Sequence, residues 1–298
     1  MERTNNDESK DLMKLIQMRF PRLSKGQKLI AEYILKNYDK AAFMTAAKLG
    51  VSVVGVSEST VVRFAIELGF SGYPKLQKSL QELIKNKLTT VQRLELSSDY
   101  ITEGHALKGV LKADMENIRA TMEKIDYNTF EDVVNNIFAA KRIFIIGLRS
   151  SMALAEFLEF YLNLILQNVK TVGNGISDIF EQMVSIREGD LVIGIGFPRY
   201  SSKTIDALGI AQDRGAKVVA ITDSYLSPLD AKADYTLVAQ SNMASFVDSL
   251  VAPLSVINAL IVAVGLREKE TISNIFNDLE KIWHDFNVYS YNGRNSGY

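Results

Sequence analysis

Residues 55–70 read GVSESTVVRFAIELGF. Gly55 permits a sharp turn, and Ser57 is of a type that caps helices. Val61, Val62, Ala65 and Leu68 then recur at helical spacing until Gly69 stops the helix, which leaves Ser59, Thr60, Arg63 and Glu67 facing outward. Working outward, Thr45 caps a short helix with apolar contacts at Ala46, Ala47, Leu49 and Val53. Ser24 caps an earlier one carrying Leu29, Ile30, Tyr33 and Ile34, and a later helix that includes Leu76 and Leu80 opens at Pro74. A short helix, a glycine turn and a second helix that begins with hydroxyls and an arginine is the arrangement of a helix-turn-helix. Its hydroxyls and N-terminal amides suit phosphates, and its arginine suits a base edge. The spacing alone serves a plain helical bundle equally well.

The pattern changes at about residue 129. Short β-branched runs, RIFIIGL from Arg142, NVKTVG from Asn168, DLVIGIGF from Asp190, KVVAITD from Lys217 and DYTLVA from Asp234, alternate with amphipathic stretches at 151–166, 176–186, 202–214 and 246–267. Strands this apolar need cover on both faces, which predicts a five-stranded parallel sheet in a three-layer α/β sandwich. In such sheets ligands bind beyond the carboxyl ends of the strands, so the loops after Gly147, Gly173, Phe197 and Asp223 are the places to search. The reading is therefore an all-α helix-turn-helix domain over 1–86, a helical connector over 87–128 and an α/β domain over 129–298.

Composition narrows the chemistry. The 298 residues include no cysteine and two histidines, His105 and His284, which excludes thiolate nucleophiles, disulfides and Cys-zinc sites. No metal and no cofactor is expected. The net charge of -1 hides an asymmetry: residues 1–93 hold 16 Lys and Arg against 9 Asp and Glu, and the remainder holds 18 against 26. A basic front and an acidic back point to different partners, with a polyanion suited to the first. The apolar stretch 246–267 is interrupted by Asp248, Pro253 and Asn258 and lacks a basic flank, so a buried or dimer-forming helix is expected there and no membrane span. The mixed-charge start carries no secretory pattern, and a cytoplasmic protein is expected.

The run LSKGQKLIAEYILKNY from Leu23, followed by MTAAKLGVSVVGVSESTVVRFAIELGFSGYPKLQKSL from Met44, resembles the N-terminal DNA-binding domain of the RpiR family of bacterial transcription regulators over residues 12–85. Gly50 departs from it, standing where alanine is more usual, and is expected to loosen the helix that follows Thr45 while leaving the recognition segment intact. In that family a sugar isomerase (SIS) domain follows and binds phosphosugars. The resemblance implies operator DNA as partner, contacted by Ser57, Ser59, Thr60 and Arg63 with Lys75 and Lys78 beside phosphates. It also implies a phosphosugar or similar small anionic metabolite in the back domain.

There the turn GLRSS, 147–151, is similar to the SIS Gly-x-Gly-x-Ser turn, with Ser151 at its phosphate-contacting serine and Arg149 in place of the second glycine. On residue type alone Ser150 and Ser151 read first as helix caps, and their place at the carboxyl end of a strand is what favours a phosphate. The loop GFPRYSSKT, 196–204, stands where SIS sugar binders show Ser-x-Ser-Gly-x-Thr, keeping the hydroxyl at Ser201 and adding Ser202 and Thr204. Arg199 is the second arginine gained. A guanidinium grips phosphate through paired hydrogen bonds, so Arg149 and Arg199 join the candidate ligand set, the competing role for each being a pair with Asp178, Glu181 or Asp223. No histidine or carboxylate pair is placed as a general base, so no catalytic residue is named and no enzyme is expected. The alternative is a phosphosugar isomerase with a helical appendage. Helices 151–166 and 246–267 are more apolar than one face of a sheet requires, which predicts a homodimer or homotetramer.

Overall fold

A computed structural model describes residues 6–289, apart from 54, 85–88, 92, 94–104, 174, 176 and 244–245. The chain forms two compact units. The first holds residues 1–115 with the segments 198–200 and 242–249, and the second holds the rest. The connector expected over 87–128 is shared between them, because one helix, Ala106–Lys124, runs through residue 115.

The first unit is helical. Helices α1 (Asn6–Arg19), α2 (Lys25–Lys36), α3 (Tyr38–Ala41), α4 (Ala46–Ser52), α5 (Glu58–Glu67) and α6 (Tyr73–Ile84) enclose a core that includes Ile16, Ile30, Ile34, Leu49, Phe64 and Leu76. Ser24 caps α2 in a reciprocal box with Gln27, and Thr45 Oγ1 accepts the Lys48 N–H of α4 at 3.1 Å. The helix α5 ends in a double closure in which Gly69 N–H donates to Ile66 O and Phe70 N–H to Ala65 O, with Gly69 at φ +96. The carbonyls between α3 and α4 are satisfied from α6: Tyr73 Oη donates to Met44 O at 2.6 Å and Gln81 Nε2 to Ala42 O at 3.1 Å.

Two details depart from the sequence expectation. The buried stripe of α5 is Val61, Phe64, Ala65 and Leu68, because Phe64 takes the central place and Val62 lies at the margin. Gly50 does not loosen α4. A Cβ there would stand 2.9 Å from Val56 O, so the missing side chain is what lets the turn lie against the helix.

In the second unit, the latter part of α7 (Ala106–Lys124) and α8 (Tyr127–Ala139) precede β1 (Ile143–Gly147), α9 (Ser151–Leu166), β2 (Val169–Val172), α10 (Ile179–Gln182), β3 (Leu191–Ile195), α11 (Ser202–Asp213), β4 (Lys217–Thr222), β5 (Tyr235–Val238), α12 (Val251–Arg267) and α13 (Lys269–Asp285). All strand pairs are parallel in the order β2-β1-β3-β4-β5. Alternate residues such as Ile143, Ile145, Ile193, Ile221 and Leu237 pack with α8, α9 and α12, while α11 covers the other face of β3 and β4. Two expected helices are shorter than read: 176–186 contains only the four-residue α10, and 246–267 begins at Val251, where Pro253 sits in the first turn. Helix α12 buries Val256, Ile257, Leu260 and Val264 in the core, and no single helix among the described residues is long and apolar enough to cross a membrane.

Candidate DNA interface and candidate anion site

The α4–turn–α5 unit is built as a reading head. Gly55, at φ +83, reverses the chain between the helices in a conformation open to glycine at little cost. Ser57 occupies the N-cap position of α5, yet its hydroxyl makes no bond to the helix amides, contrary to the expected cap. It is spent instead on a cluster, 3.0 Å from Ser59 Oγ and 2.9 Å from Thr60 Oγ1. Exposed hydroxyls therefore gather at a helix N-terminus, where amides and the helix dipole favour phosphate. One turn on, Arg63 is exposed and its Nε donates to Ser59 O at 3.2 Å, which holds the guanidinium along the same outer face. Lys75 and Lys78 are exposed on α6. Lys48 is exposed on α4 as well, and its position opposite Ala46, Leu49 and Gly50 was a legible signal that sequence reading passed over.

In the second unit β1 and β3 are neighbours, and their following helices, α9 and α11, pack on opposite faces of the sheet. That is the topological switch point, where a crevice opens beyond the carboxyl ends. After β1 come buried Leu148, exposed Arg149, Ser150 and buried Ser151. Ser150 holds the N-cap position without a side-chain bond to the helix, so neither a cap nor another hydrogen bond explains that hydroxyl. Arg149 sits at φ +60. That left-handed conformation accounts for glycine in the turn this segment resembles, and an arginine there is strained by about 1 kcal/mol or more.

After β3, Ser201 is the N-cap of α11, again without a side-chain bond to the helix, and Ser202 is exposed at its first position. Thr204 follows in the first turn, 1% exposed, and its Oγ1 is buried without a hydrogen-bond partner. A buried unsatisfied hydroxyl costs free energy, so its retention at a helix N-terminus calls for a reason. Arg199 lies in the first unit, where its Nη1 donates to Thr90 Oγ1 at 2.9 Å. It too has a left-handed backbone, φ +64, where the resembled loop has glycine.

Two of the competing carboxylates, Asp178 and Glu181, are already engaged. Lys203 Nζ stands 3.0 Å from Asp178 Oδ2, and Glu181 accepts the Asp178 N–H at 3.2 Å. The Phe180 N–H, and then Lys203, hold the Asp178 carboxyl below its ordinary range. Among the described residues no group of His, Asp and Glu could hold a metal ion.

The turn after β1 leaves no room for a side chain at Gly147, where a Cβ would lie 2.6 Å from Ser151 O. Gly147→Ala is expected to push the start of α9 away and to destabilise the unit by about 1–2 kcal/mol, read as a lower urea midpoint at unchanged slope.

Comparison with known proteins accords with both halves. The family model for the rpiR-family helix-turn-helix domain matches residues 10–87, and that for the SIS domain matches 136–263. An uncharacterized HTH-type transcriptional regulator of Haemophilus influenzae is 32% identical over 221 residues, covering 72% of this chain and 75% of its own. The HTH-type transcriptional regulator HexR of Pseudomonas aeruginosa is 25% identical over 269 residues, covering 87% and 90%. Among solved structures, the sugar isomerase domain of an RpiR transcription factor from Sphaerobacter thermophilus superposes with a TM-score of 0.56 at 30% identity, over 58% of this chain and 96% of that one. The Vibrio vulnificus NanR protein, solved in complex with ManNAc-6P, shares the fold with a TM-score of 0.55 at 22% identity, over 91% and 98%. With a helix-turn-helix at its front and a five-stranded SIS sheet behind it, this chain belongs to the rpiR family of transcriptional regulators.

Proposed function

We propose that the SIS domain binds a phosphorylated sugar or a related anionic metabolite at the β1–β3 switch point, and that occupancy there alters affinity for operator DNA. The observation that carries this reading is Thr204 Oγ1, a buried hydroxyl without a partner in the first turn of a helix that starts at the carboxyl end of β3. A phosphate would supply the missing acceptor, and Ser150, Ser151, Ser201 and Ser202, with the amides of α9 and α11, would share its charge. Arg149 and, from its place in the loop after β3, Arg199 add cationic reach. In support of a phosphosugar, NanR, a structure of the same fold, was solved with ManNAc-6P.

In this reading the division is a helix-turn-helix over 1–86, a connector over 87–128 and the SIS domain over 129–298. Ser57, Ser59, Thr60, Lys75 and Lys78 contact DNA phosphates, and Arg63 reads a base. The chain works in the cytoplasm, where its operator lies. Palindromic operators call for a two-fold, and α9 and α12, which pack together, carry exposed Phe160, Tyr161, Val262 and Leu266 suited to joining two copies.

A thermal-shift screen of hexose and N-acetylhexosamine phosphates against the full chain tests the ligand class, because a ligand that binds only the folded state raises the melting temperature. A rise with a phosphosugar, absent with the free sugar and reduced in Arg149→Ala and Arg199→Ala, is expected. No rise with any phosphosugar at millimolar concentration would contradict the reading, and full shifts in both variants would remove the arginines from the site.

A further inference from the structure

Helix α5 carries an apolar side chain on the face turned away from its core. Ile66 is 56% exposed in the last turn, and at about 100° per residue it lies, with Ser59, opposite the buried stripe of Val61, Phe64, Ala65 and Leu68. Arg63 stands about 60° to one side of it and half-buried Val62 about 40° to the other, so Ser59, Arg63 and Ile66 share the outer line of the helix. The carboxylates of Glu58 and Glu67, both exposed, border that line at about 80 and 100° from Ile66, one on each side.

The place of Ile66 is fixed twice over. The buried stripe sets the rotation of α5, and the Gly69 N–H closes the last turn by donating to Ile66 O at 2.9 Å. A β-branched side chain on a helix keeps essentially one χ1 rotamer, so Ile66 meets a partner with little entropy to lose. An exposed isoleucine supports a helix less well than leucine, lysine, arginine or glutamate would, so helix stability does not account for it. Set between two carboxylates, it adds nothing to phosphate affinity either.

We propose that Ile66 reads a thymine through its C5-methyl group, the apolar group that base pairs display in the major groove. The inference rests on α5 lying in that groove with Arg63 at a base, as stated under the proposed function, and supplies the neighbouring letter of the operator. Three residues of helix rise about 4.5 Å and stacked bases about 3.4 Å, so the thymine stands one or two base pairs from the base that Arg63 reads. The Arg63 Nε is bonded back to Ser59 O, toward the start of the helix, and the guanidinium leaves Ile66 uncovered.

The test takes an operator selected by the full chain from random DNA and replaces each thymine in turn by deoxyuridine, which removes the methyl group and keeps every hydrogen bond of the pair. One such replacement, one or two base pairs from the position at which Arg63→Ala loses discrimination, should weaken binding about fourfold, the worth of one buried methyl group. Ile66→Ala should bind the unmodified operator at least about fourfold more weakly and no longer distinguish thymine from deoxyuridine there. Its melting temperature should not change, since the side chain is exposed. Ile66→Val, which keeps a branched apolar tip, should retain the distinction. An operator in which no thymine methyl group matters, or a methyl effect that Ile66→Ala leaves intact, would overturn the inference. A methyl effect that Ile66→Ala abolishes upholds it whether or not Arg63→Ala changes specificity, so the two assignments fail separately. Failure to select any operator would overturn the DNA role of α5 and the thymine contact with it.

Discussion

Arg63→Ala is expected to weaken binding to an operator, selected by the full chain from random DNA, by roughly 5- to 150-fold, the ~1–3 kcal/mol that one good guanidinium–base contact contributes. The side chain is exposed and donates to Ser59 O within its own helix, so its removal should leave the melting temperature within a degree or two. The variant should also lose discrimination at one operator position, because Arg63 is assigned to a base and not to phosphate. Lys75→Ala and Lys78→Ala should behave differently, lowering affinity for all sequences alike and reducing the salt dependence of binding. Electrophoretic or anisotropy titrations at two salt concentrations separate the two patterns. Equal operator affinity in Arg63→Ala would remove this residue from base reading.

Thr204→Val is expected to move stability and ligand affinity in opposite directions. The threonine hydroxyl is buried and unpaired in the free protein, so replacing it by a methyl group relieves an unsatisfied polar atom. The melting temperature should be unchanged or slightly raised. A hydrogen bond to a charged phosphate contributes about 1.5–3 kcal/mol, so phosphosugar affinity should fall roughly 10- to 150-fold. Calorimetric titration of the sugar identified by thermal shift checks this, with Thr204→Ser as the variant that restores the hydroxyl and most of the affinity. A variant that loses stability and keeps its affinity would show that Thr204 serves the fold alone.

Much of the architecture was legible because its signals are local. The parallel sheet followed from five apolar runs, and α9 spans the residues its periodicity predicted, 151–166. The cap at Ser24 and the stop at Gly69 were likewise written in single residue types. What escaped the sequence depends on tertiary distances. Gly50 reads as a weak point in a helix until the backbone of Val56 is seen beside it, and Ser57 reads as a cap until its hydroxyl is found bonded to Ser59 and Thr60. That α7 buries Asn117 and Thr121 was out of reach as well, because the bond from the Gln240 N–H to Thr121 has no local trace. The candidate ligand site was half visible. Strand ends and hydroxyls marked its loops, but the left-handed backbones of Arg149 and Arg199, and the engagement of Arg199 by Thr90, required coordinates.

The central claim is that metabolite occupancy and operator binding are linked, and linkage is reciprocal: if sugar changes operator affinity by some factor, operator must change sugar affinity by the same factor. The direct measurement is the operator dissociation constant of the full chain without sugar and with saturating phosphosugar, at one fixed salt concentration. The account predicts a change of about 5- to 150-fold, corresponding to ~1–3 kcal/mol of coupling, matched by an equal change in sugar affinity when operator is added and lost in Thr204→Val at the same sugar concentration. Operator affinity that stays the same while the SIS domain is demonstrably saturated would contradict it.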